Sequence, residues 1–158
     1  MDHNRLLRAQ LKKILEWEDA HASVDHAIDG IPAAVRGKVP AGAAHSAWQL
    51  LEHLRIAQAD IYDFCVNPKY RHTMKWPDDY WPKRPTPPDG RAWRTSVGAC
   101  RSDRKKMQAR ARDPAIDLFA AIPHGDGQTY LREILLVADH GSYHVGQIVL
   151  VRKALGSW

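Results

Sequence analysis

Two histidines, His140 and His144, lie four residues apart near the carboxyl end of the chain. At this spacing two side chains stand on the same face of a helix, with Cβ atoms about 5–6 Å apart. Two imidazoles can therefore approach one metal ion from a single helix, as they do in HExxH zinc sites. Nine histidines in 158 residues make one such pair unsurprising, so its position carries more weight. Both residues lie in the most apolar predicted helix, where an unpartnered polar group costs about 1–3 kcal/mol.

A third histidine, His53, lies in the middle of the second predicted helix, on the apolar stripe that includes Leu50 and Ala57. Helices that face one another in a bundle build metal sites from such inward side chains. Three protein ligands that leave positions open for water or substrate are typical of a catalytic centre rather than a closed structural one. The alternative is that each histidine is a core residue with its own hydrogen-bond partner.

Other side chains near these positions are candidates for supporting roles. Gln147 follows His144 by three residues and shares its helix face, which makes it a candidate for contact with bound water or substrate. His21 falls on the inward stripe of the first predicted helix, where it supports a ligand, acts as a general base or is an ordinary core histidine. His45 and His72 are interpreted as surface residues. No glutamate lies inside the HxxxH pair, so the pattern does not support a zinc-protease mechanism.

The elements that must position these residues are helices, because apolar residues recur at steps of three and four and no segment alternates as a strand. The first helix is predicted to begin after Asp2 and to stop at Gly30. The second begins with a capping box, Ser46 to Gln49, and ends at Asn67. Seven positions define the stripe of the first helix: Leu7, Leu11, Ile14, Trp17, His21, Val24 and Ile28.

Two further helices complete the predicted fold. The third covers Asp89–Arg112 and the last covers about Thr129–Leu155, with Gly156 in the position of a C′ glycine. The centre of the last helix is apolar all round, which is typical of a helix buried on most sides. The sequence therefore predicts an all-α fold, a four-helix bundle, formed by a single domain over residues 1–158.

A long connection joins the second and third predicted helices, and it contains six prolines and four aromatic rings over residues 67–88. Connections of this length inside a compact domain are uncommon and often functional, for instance as a lid. We predict that this loop packs over or beside the metal site. Trp76, Tyr80 and Trp81 are then candidates for lining a substrate pocket. The alternative is that these rings fill a gap in the core away from the ion.

Two segments resemble motifs of the DinB/YfiT superfamily: SAWQLLEHL at Ser46–Leu54 and LVADHGSYHVGQI at Leu136–Ile148. The lone histidine of the second helix and the HxxxH pair of the fourth occur in the order typical of that family. The resemblance implies a four-helix bundle of variant up-and-down topology, with a divalent ion on residues that correspond to His53, His140 and His144. It also implies frequent homodimers. Family members with assigned chemistry include transferases and isomerases that use low-molecular-weight thiols.

Composition limits the partners and the compartment. The formal net charge of +5 is modest, and Asp103 and Asp113 interrupt the basic residues of the third helix. A solvated helix face is therefore favoured over a nucleic-acid surface. The longest apolar run, Ile134–Ala138, is far shorter than the roughly 18 residues of a membrane span. No apolar signal segment follows Met1 and the two cysteines form no CxxC pair, so we expect a cytoplasmic protein.

Two functions remain open. The first is a metal-dependent enzyme of the thiol-dependent transferase or hydrolase type, in which zinc or nickel polarises a carbonyl or activates water or a thiol. The second is a metal-binding or small-molecule-binding module without turnover, since an intact site does not establish catalysis. We expect a homodimer from the resemblance and from the six tryptophans, because aromatic surface often marks an interface. We expect no nucleic-acid or membrane partner.

Overall fold

The computed structural model describes residues 2–16 and 18–158, and within these ranges the chain forms helices and no strands. The predicted all-α fold is confirmed. Three of the helices lie within two residues of their predicted bounds. In chain order the helices are α1 His3–Ile14, α2 Val24–Ile28, α3 Ala47–Val66, α4 Gly90–Arg112 and α5 Tyr130–Ala154.

Side chains cap the beginnings of the three long helices, and the capping box predicted at Ser46 is present. Ser46 accepts a hydrogen bond from the backbone N–H of Gln49, whose side chain accepts from the backbone N–H of Ser46, so the capping box is complete. The side chains of Asp89 and Thr129 cap α4 and α5 by accepting a hydrogen bond from the backbone N–H three residues later. Gly156 follows α5 with φ of +65°, a left-handed conformation that glycine adopts without a steric penalty.

The prediction of one continuous first helix is wrong, because the chain forms α1 and α2 with a turn between them. After α1 ends at Ile14, the hydroxyl of Ser23 donates to the Glu18 carboxylate and accepts from a backbone N–H at the start of α2. Such local bonds of polar side chains compete with a helix even where the apolar spacing continues. Trp17, part of the predicted stripe, lies outside the described residues. His21 falls in the turn and is exposed.

Helix α3 lies at the centre of the fold, where it packs against both α4 and α5. Helix α1 lies against α4, and the short α2 lies against α5. Buried apolar side chains form two clusters. One includes Leu51 and Ile148, and the other includes Met107 and Ile134. Because α3 and α5 carry the three candidate ligands, their contact decides whether those ligands meet.

The loop of residues 67–88 is attached to the beginning of α3. Its regular structure is limited to one 3-10 turn, Asp78–Tyr80. The Ser46 hydroxyl donates to the carbonyl of Pro85 at 2.5 Å, and Gln49 Nε2 donates to the carbonyl of Pro82 at 3.4 Å. Prolines lack an N–H group, so their carbonyls provide the anchoring points. The two residues that cap α3 therefore also hold the end of this loop.

Helix α5 is long and apolar enough to cross a membrane by length and composition. In the most apolar 18-residue stretch of this helix, 44% is buried inside the protein, and the helix packs against α3 and α2. Buried residues occur along its whole length, from Ile134 through Val145 to Val151. Core helices of globular domains meet the same two criteria, and packing inside the protein accounts for the buried apolar residues of α5.

Candidate metal centre

The three predicted ligands converge where α3 and α5 pack together. His53 extends from α3, His140 and His144 extend from one face of α5, and one ring nitrogen of each lies within 4.8 Å of the others. The Nε2 atoms of His53 and His140 are 3.0 Å apart. His53 and His144 are buried, whereas His140 is partly exposed. No other cluster of metal-ligating side chains is found in the part of the chain that the structure describes.

The spacing of these nitrogens fits one divalent ion. Zinc–imidazole bonds of about 2.0–2.1 Å in tetrahedral geometry separate two ligand nitrogens by about 3.3 Å. The distance of 3.0 Å between the Nε2 atoms of His53 and His140 is slightly shorter than this value, and the upper limit of 4.8 Å between the ring nitrogens of the cluster is longer. The donor set consists of imidazoles alone, which suits zinc, nickel, copper or iron and not the oxygen-preferring calcium and magnesium. The residues present therefore fit the metal that the sequence predicts.

Hydrogen bonds hold two of the rings in the tautomer that a metal ligand needs. Nδ1 of His53 donates to the backbone carbonyl of Tyr80 at 3.0 Å. Nδ1 of His144 donates to Oε1 of Gln147 at 2.7 Å. A carbonyl oxygen can only accept, so each Nδ1 carries the proton and each Nε2 keeps its lone pair. Such partners orient the ligands of metal sites.

Burial keeps the imidazoles neutral. Burial lowers the pKa of His140 to about 4, and the repulsion that His144 and His53 exert when protonated acts in the same direction. Burial is also the main reason that the pKa of His144 is lowered to about 4, although the bond to Gln147 acts in the opposite direction. The pKa of His53 is lowered by burial as well. Since a metal binds the neutral imidazole, all three rings are in the ligand form at pH 7.

The loop of residues 67–88 places an indole ring flat on the cluster. Trp81 stacks on His53, with ring centroids 3.9 Å apart and planes 3° from parallel. His45 stacks on the other face of Trp81 at the same centroid distance. Trp76 lies farther out, 6.3 Å from the His53 ring, and is 68% exposed. The stacked rings cover one face of His53 and keep water from it.

The interpretation of His45 as a surface residue is wrong. Its ring is partly buried, and its Nδ1 is buried without a hydrogen-bond partner. His45 directly precedes Ser46, the N-cap of α3, and residues at that position often pack against the helix or its neighbours. The recognised capping box was therefore the signal that could have indicated a packed His45.

A cavity of about 700 Å³, called here the larger cavity, opens beside the candidate metal centre. Of the three histidines it is lined by His140, and the loop contributes Trp76 and Tyr80. Asp60, Asp126 and Glu133 add three carboxylates. The volume lies within the roughly 300–1,000 Å³ typical of small-molecule sites.

Sequence reasoning missed Asp60 and Glu133, two of the three carboxylates that line the larger cavity. Asp60 follows His53 by seven residues and Glu133 precedes His140 by seven, so each lies two turns from a ligand on the same helix face. Glu133 is 2% exposed and forms an ion pair with Arg132 at 2.6 Å. The seven-residue spacing was the sequence signal that could have identified these two residues.

A second cavity of about 380 Å³, the smaller cavity, lies toward the opposite ends of α3 and α5. Its polar side chains are those of His45 and Gln147. The rest of its lining is small or apolar and includes Leu50, Leu150 and Val151. None of the three converging histidines lines it, so it contacts the metal centre only through neighbouring residues.

The remaining sequence candidates are placed differently. Gln147 is next to the centre through its bond to His144. The predicted inward position of His21 is wrong, because α1 ends at Ile14 and leaves this residue in an exposed turn. Nδ1 of His21 lies 2.8 Å from the carbonyl oxygen of Ala22. The side chain of His21 lines a narrow crevice, and none of the three converging histidines lines that crevice.

The helical fold and the three inward imidazoles on two packed helices place this protein among candidate metal-binding proteins. A family model of the DinB superfamily matches residues 16–148, a range that contains all three histidines and the long loop. The chain belongs to the DinB superfamily. No curated protein and no solved structure matches it.

Proposed function

We propose that the protein is a metal-dependent enzyme in which His53, His140 and His144 hold one divalent ion, zinc or nickel. The observation that carries this proposal is the convergence of three imidazoles with ring nitrogens within 4.8 Å. Hydrogen bonds at Nδ1 leave the Nε2 lone pairs of two of these rings free for the ion. Three ligands leave positions open for a substrate, as in catalytic centres.

The residues around the ligands have separate tasks in this proposal. Tyr80 and Gln147 orient the rings of two ligands, and Trp81 keeps water from one face of His53. When bound, the ion would supply Lewis-acid chemistry that polarises a carbonyl or lowers the pKa of a thiol or water. The partly exposed His140 lies at the larger cavity, which has room for a small molecule.

Thiol-dependent group transfer is the proposed reaction, with a small-molecule thiol as one substrate. The resemblance to thiol-using members of the superfamily supports it. A thiol needs little help from a general base once its pKa is lowered, because the thiolate itself is the nucleophile. Hydrolysis is the other reaction type that the centre supports, and it would require a carboxylate such as Asp60 or Glu133 to take a proton from water.

Elemental analysis tests the metal proposal directly. The protein should be purified without a metal-affinity tag, and we expect about one zinc or nickel ion per chain. Protein stripped with a chelator should regain one equivalent on dialysis against zinc. A preparation that holds no divalent ion and takes up none on dialysis would contradict the proposal.

Turnover is tested separately with metal-loaded protein, a low-molecular-weight thiol and a chromogenic electrophile. We expect product formation above the rate of the metal-free protein, which serves as the control. Binding of both metal and thiol without turnover would instead favour the non-catalytic binding module. The two measurements together separate failure of metal binding from failure of catalysis.

A homodimer is part of the proposal, and one side of α5 is its candidate interface. Leu135, Tyr143 and Leu150 lie on this side and are 42%, 64% and 67% exposed. Light scattering should give twice the chain mass of 17.9 kDa, and Leu150→Glu should give the single-chain mass. Leu6→Glu, at an exposed position of α1, is the matched control. A wild-type mass of one chain would contradict the dimer.

The proposed compartment is the cytoplasm. Cys65 and Cys100 are both free and buried, as is usual where thiols stay reduced. Burial raises the pKa of Cys65 to about 12, so this thiol is unreactive at neutral pH. Burial raises the pKa of the Cys100 thiol as well, so neither cysteine is a candidate for the thiol chemistry, which we assign to a substrate.

A further inference from the structure

Asp60 fastens the long loop to α3. It lies two turns after His53, lines the larger cavity, and has a side chain that is 16% exposed. Tyr70 Oη donates to its Oδ1 at 2.9 Å, and Tyr80 Oη donates to its Oδ2. The exposed His72 is farther away, with 3.9 Å between Nδ1 and Oδ2. The attachment therefore depends on two neutral hydroxyl donors that converge on one carboxylate.

Tyr80 connects this attachment to the metal centre. Its side chain is held by Asp60, and its backbone carbonyl accepts the hydrogen bond from Nδ1 of His53. Tyr80 is 6% exposed and ends the single 3-10 turn of the loop. The next residue, Trp81, stacks on the same imidazole. Movement of Tyr80 would therefore disturb both contacts that orient His53.

The hydroxyl of Tyr80 stays a donor across the neutral pH range. Burial raises its pKa, and the Asp60 carboxylate that accepts its hydrogen bond raises the pKa further. Prolines at several positions limit the number of backbone N–H groups in this loop. Side-chain contacts, such as the bond of Tyr80 to Asp60, therefore take a larger part in fixing the path of the loop.

We propose that Asp60 is a positioning residue for the metal centre: by holding the hydroxyl of Tyr80, it fixes the carbonyl that orients His53. It acts without touching the ion. The effect on metal affinity rests on the proposed function, whereas the effect on the His53 ring is present in the metal-free protein. The two effects can therefore be measured independently.

Zinc titration of Asp60→Ala and Tyr80→Phe tests the effect on affinity. Loss of a hydrogen-bond partner of a metal ligand costs about 10–100-fold in affinity. Because Asp60 acts through Tyr80, we expect the lower end, a loss of about tenfold. Asp63→Ala is the matched control: this carboxylate lies on the same helix, is exposed, and bonds to the side chain of Asn67 at 3.2 Å. It should retain wild-type affinity.

A readout in metal-free protein separates positioning from general stability. In ¹H–¹⁵N spectra of the histidine rings, the Nδ1 proton of His53 should be protected in wild type and in Asp63→Ala. In Asp60→Ala and Tyr80→Phe we expect it to exchange rapidly with water, while the rest of the spectrum stays dispersed. Tyr80→Phe removes a single oxygen atom, so it remains informative if Asp60→Ala does not fold.

The outcomes distinguish this inference from the proposed function. Wild-type protein that binds no zinc overturns the proposed function, and the His53 proton then decides the role of Asp60. A protected His53 proton in folded Asp60→Ala or Tyr80→Phe overturns the positioning role. Where wild-type protein binds zinc, affinity equal to wild type in both variants also overturns it, whatever the exchange rate of the His53 proton. Rapid exchange in both variants, with the Asp63→Ala control unchanged, supports it.

Discussion

The two cavities beside the three histidines lie in opposite directions along the contact of α3 with α5, and their linings differ in chemistry. The larger cavity lies toward the end of α3 and carries the carboxylates of Asp60 and Glu133 and the ring of His140. The smaller cavity lies toward the beginning of α3, and its polar side chains are His45 and Gln147. Charged groups therefore lie on one side of the metal centre and mainly apolar surface on the other.

The two linings favour different roles for the two cavities in the proposed function. The larger cavity reaches a candidate ligand directly. The smaller one reaches the cluster through Gln147, which bonds His144, and through His45, whose ring stacks on Trp81. We therefore propose that a substrate binds in the larger cavity and that residues of the smaller side support the ligands. A buried centre can thus be accessible to a substrate from one side while residues on the other side orient its ligands.

The largest expected effect comes from the residue that borders the larger cavity. His140→Ala removes one of three ligands, and its metal affinity should fall by more than the about 10–100-fold caused by losing a ligand's hydrogen-bond partner. Elemental analysis after dialysis against zinc measures the occupancy. His21→Ala, at an exposed histidine outside the centre, is the control. Full occupancy in His140→Ala would falsify the assignment.

Acid should destabilise the metal-free protein through the same cluster. The folded state holds the pKa of His140 and His144 at about 4, below the ordinary histidine value of 6.5. Between these values the unfolded chain binds more protons, so the free energy of unfolding falls as the pH is lowered from about 6.5 to about 4. Urea unfolding at several pH values measures this slope. His140→Gln should make it shallower, and the same slope in that variant would contradict the prediction.

The side that supports the ligands is tested by the stacked indole. Trp81→Ala removes a partly buried ring from between two imidazoles, and we expect the free energy of unfolding to fall by about 2–3 kcal/mol, below the cost at fully buried sites. Trp76→Ala is the matched control, because Trp76 is 68% exposed, and it should change stability by no more than about 0.5 kcal/mol. Equal losses in urea unfolding would mean that the stacking does not stabilise the fold.

The smallest expected effect concerns the polar link of the smaller cavity. Gln147→Leu removes the acceptor of the His144 Nδ1 proton while it keeps a similar volume. Zinc affinity should fall about tenfold, the lower end of the range for such partners. Gln10→Leu, on an exposed face of α1, should bind zinc like wild type. If both variants bind alike, the smaller side does not support the ligands, and the comparison between the cavities fails.

Local signals in the sequence predict most of the helical fold. The ends of the three long helices follow from caps at Ser46, Asp89 and Thr129, whose partners lie within four residues. The first helix is the exception. Its apolar spacing continues past Ile14, but the bonds of Ser23 to nearby groups favour a turn. Periodicity alone does not weigh these competing local bonds.

The candidate site is predictable in its ligands and less so in their surroundings. Helical spacing places His53 and the HxxxH pair on inward faces, and the resemblance to a known family indicates that these faces meet. The roles of His45 and Asp60 depend on where the long loop runs. That path is set by contacts such as Ser46 with Pro85, between residues distant in the chain. Such contacts have no periodic signal in the sequence.

The partial exposure of a single imidazole has a consequence for the retention of the proposed metal ion. Trp81 covers one face of His53, and the larger cavity is bordered by His140 alone among the three rings. An ion and a small-molecule substrate would then share one route to bulk water. A bound substrate would stand in the path of a departing ion, so exchange with a chelator would be slowest while substrate is abundant. When metal is scarce, protein with bound substrate would therefore retain its ion longer than protein without substrate.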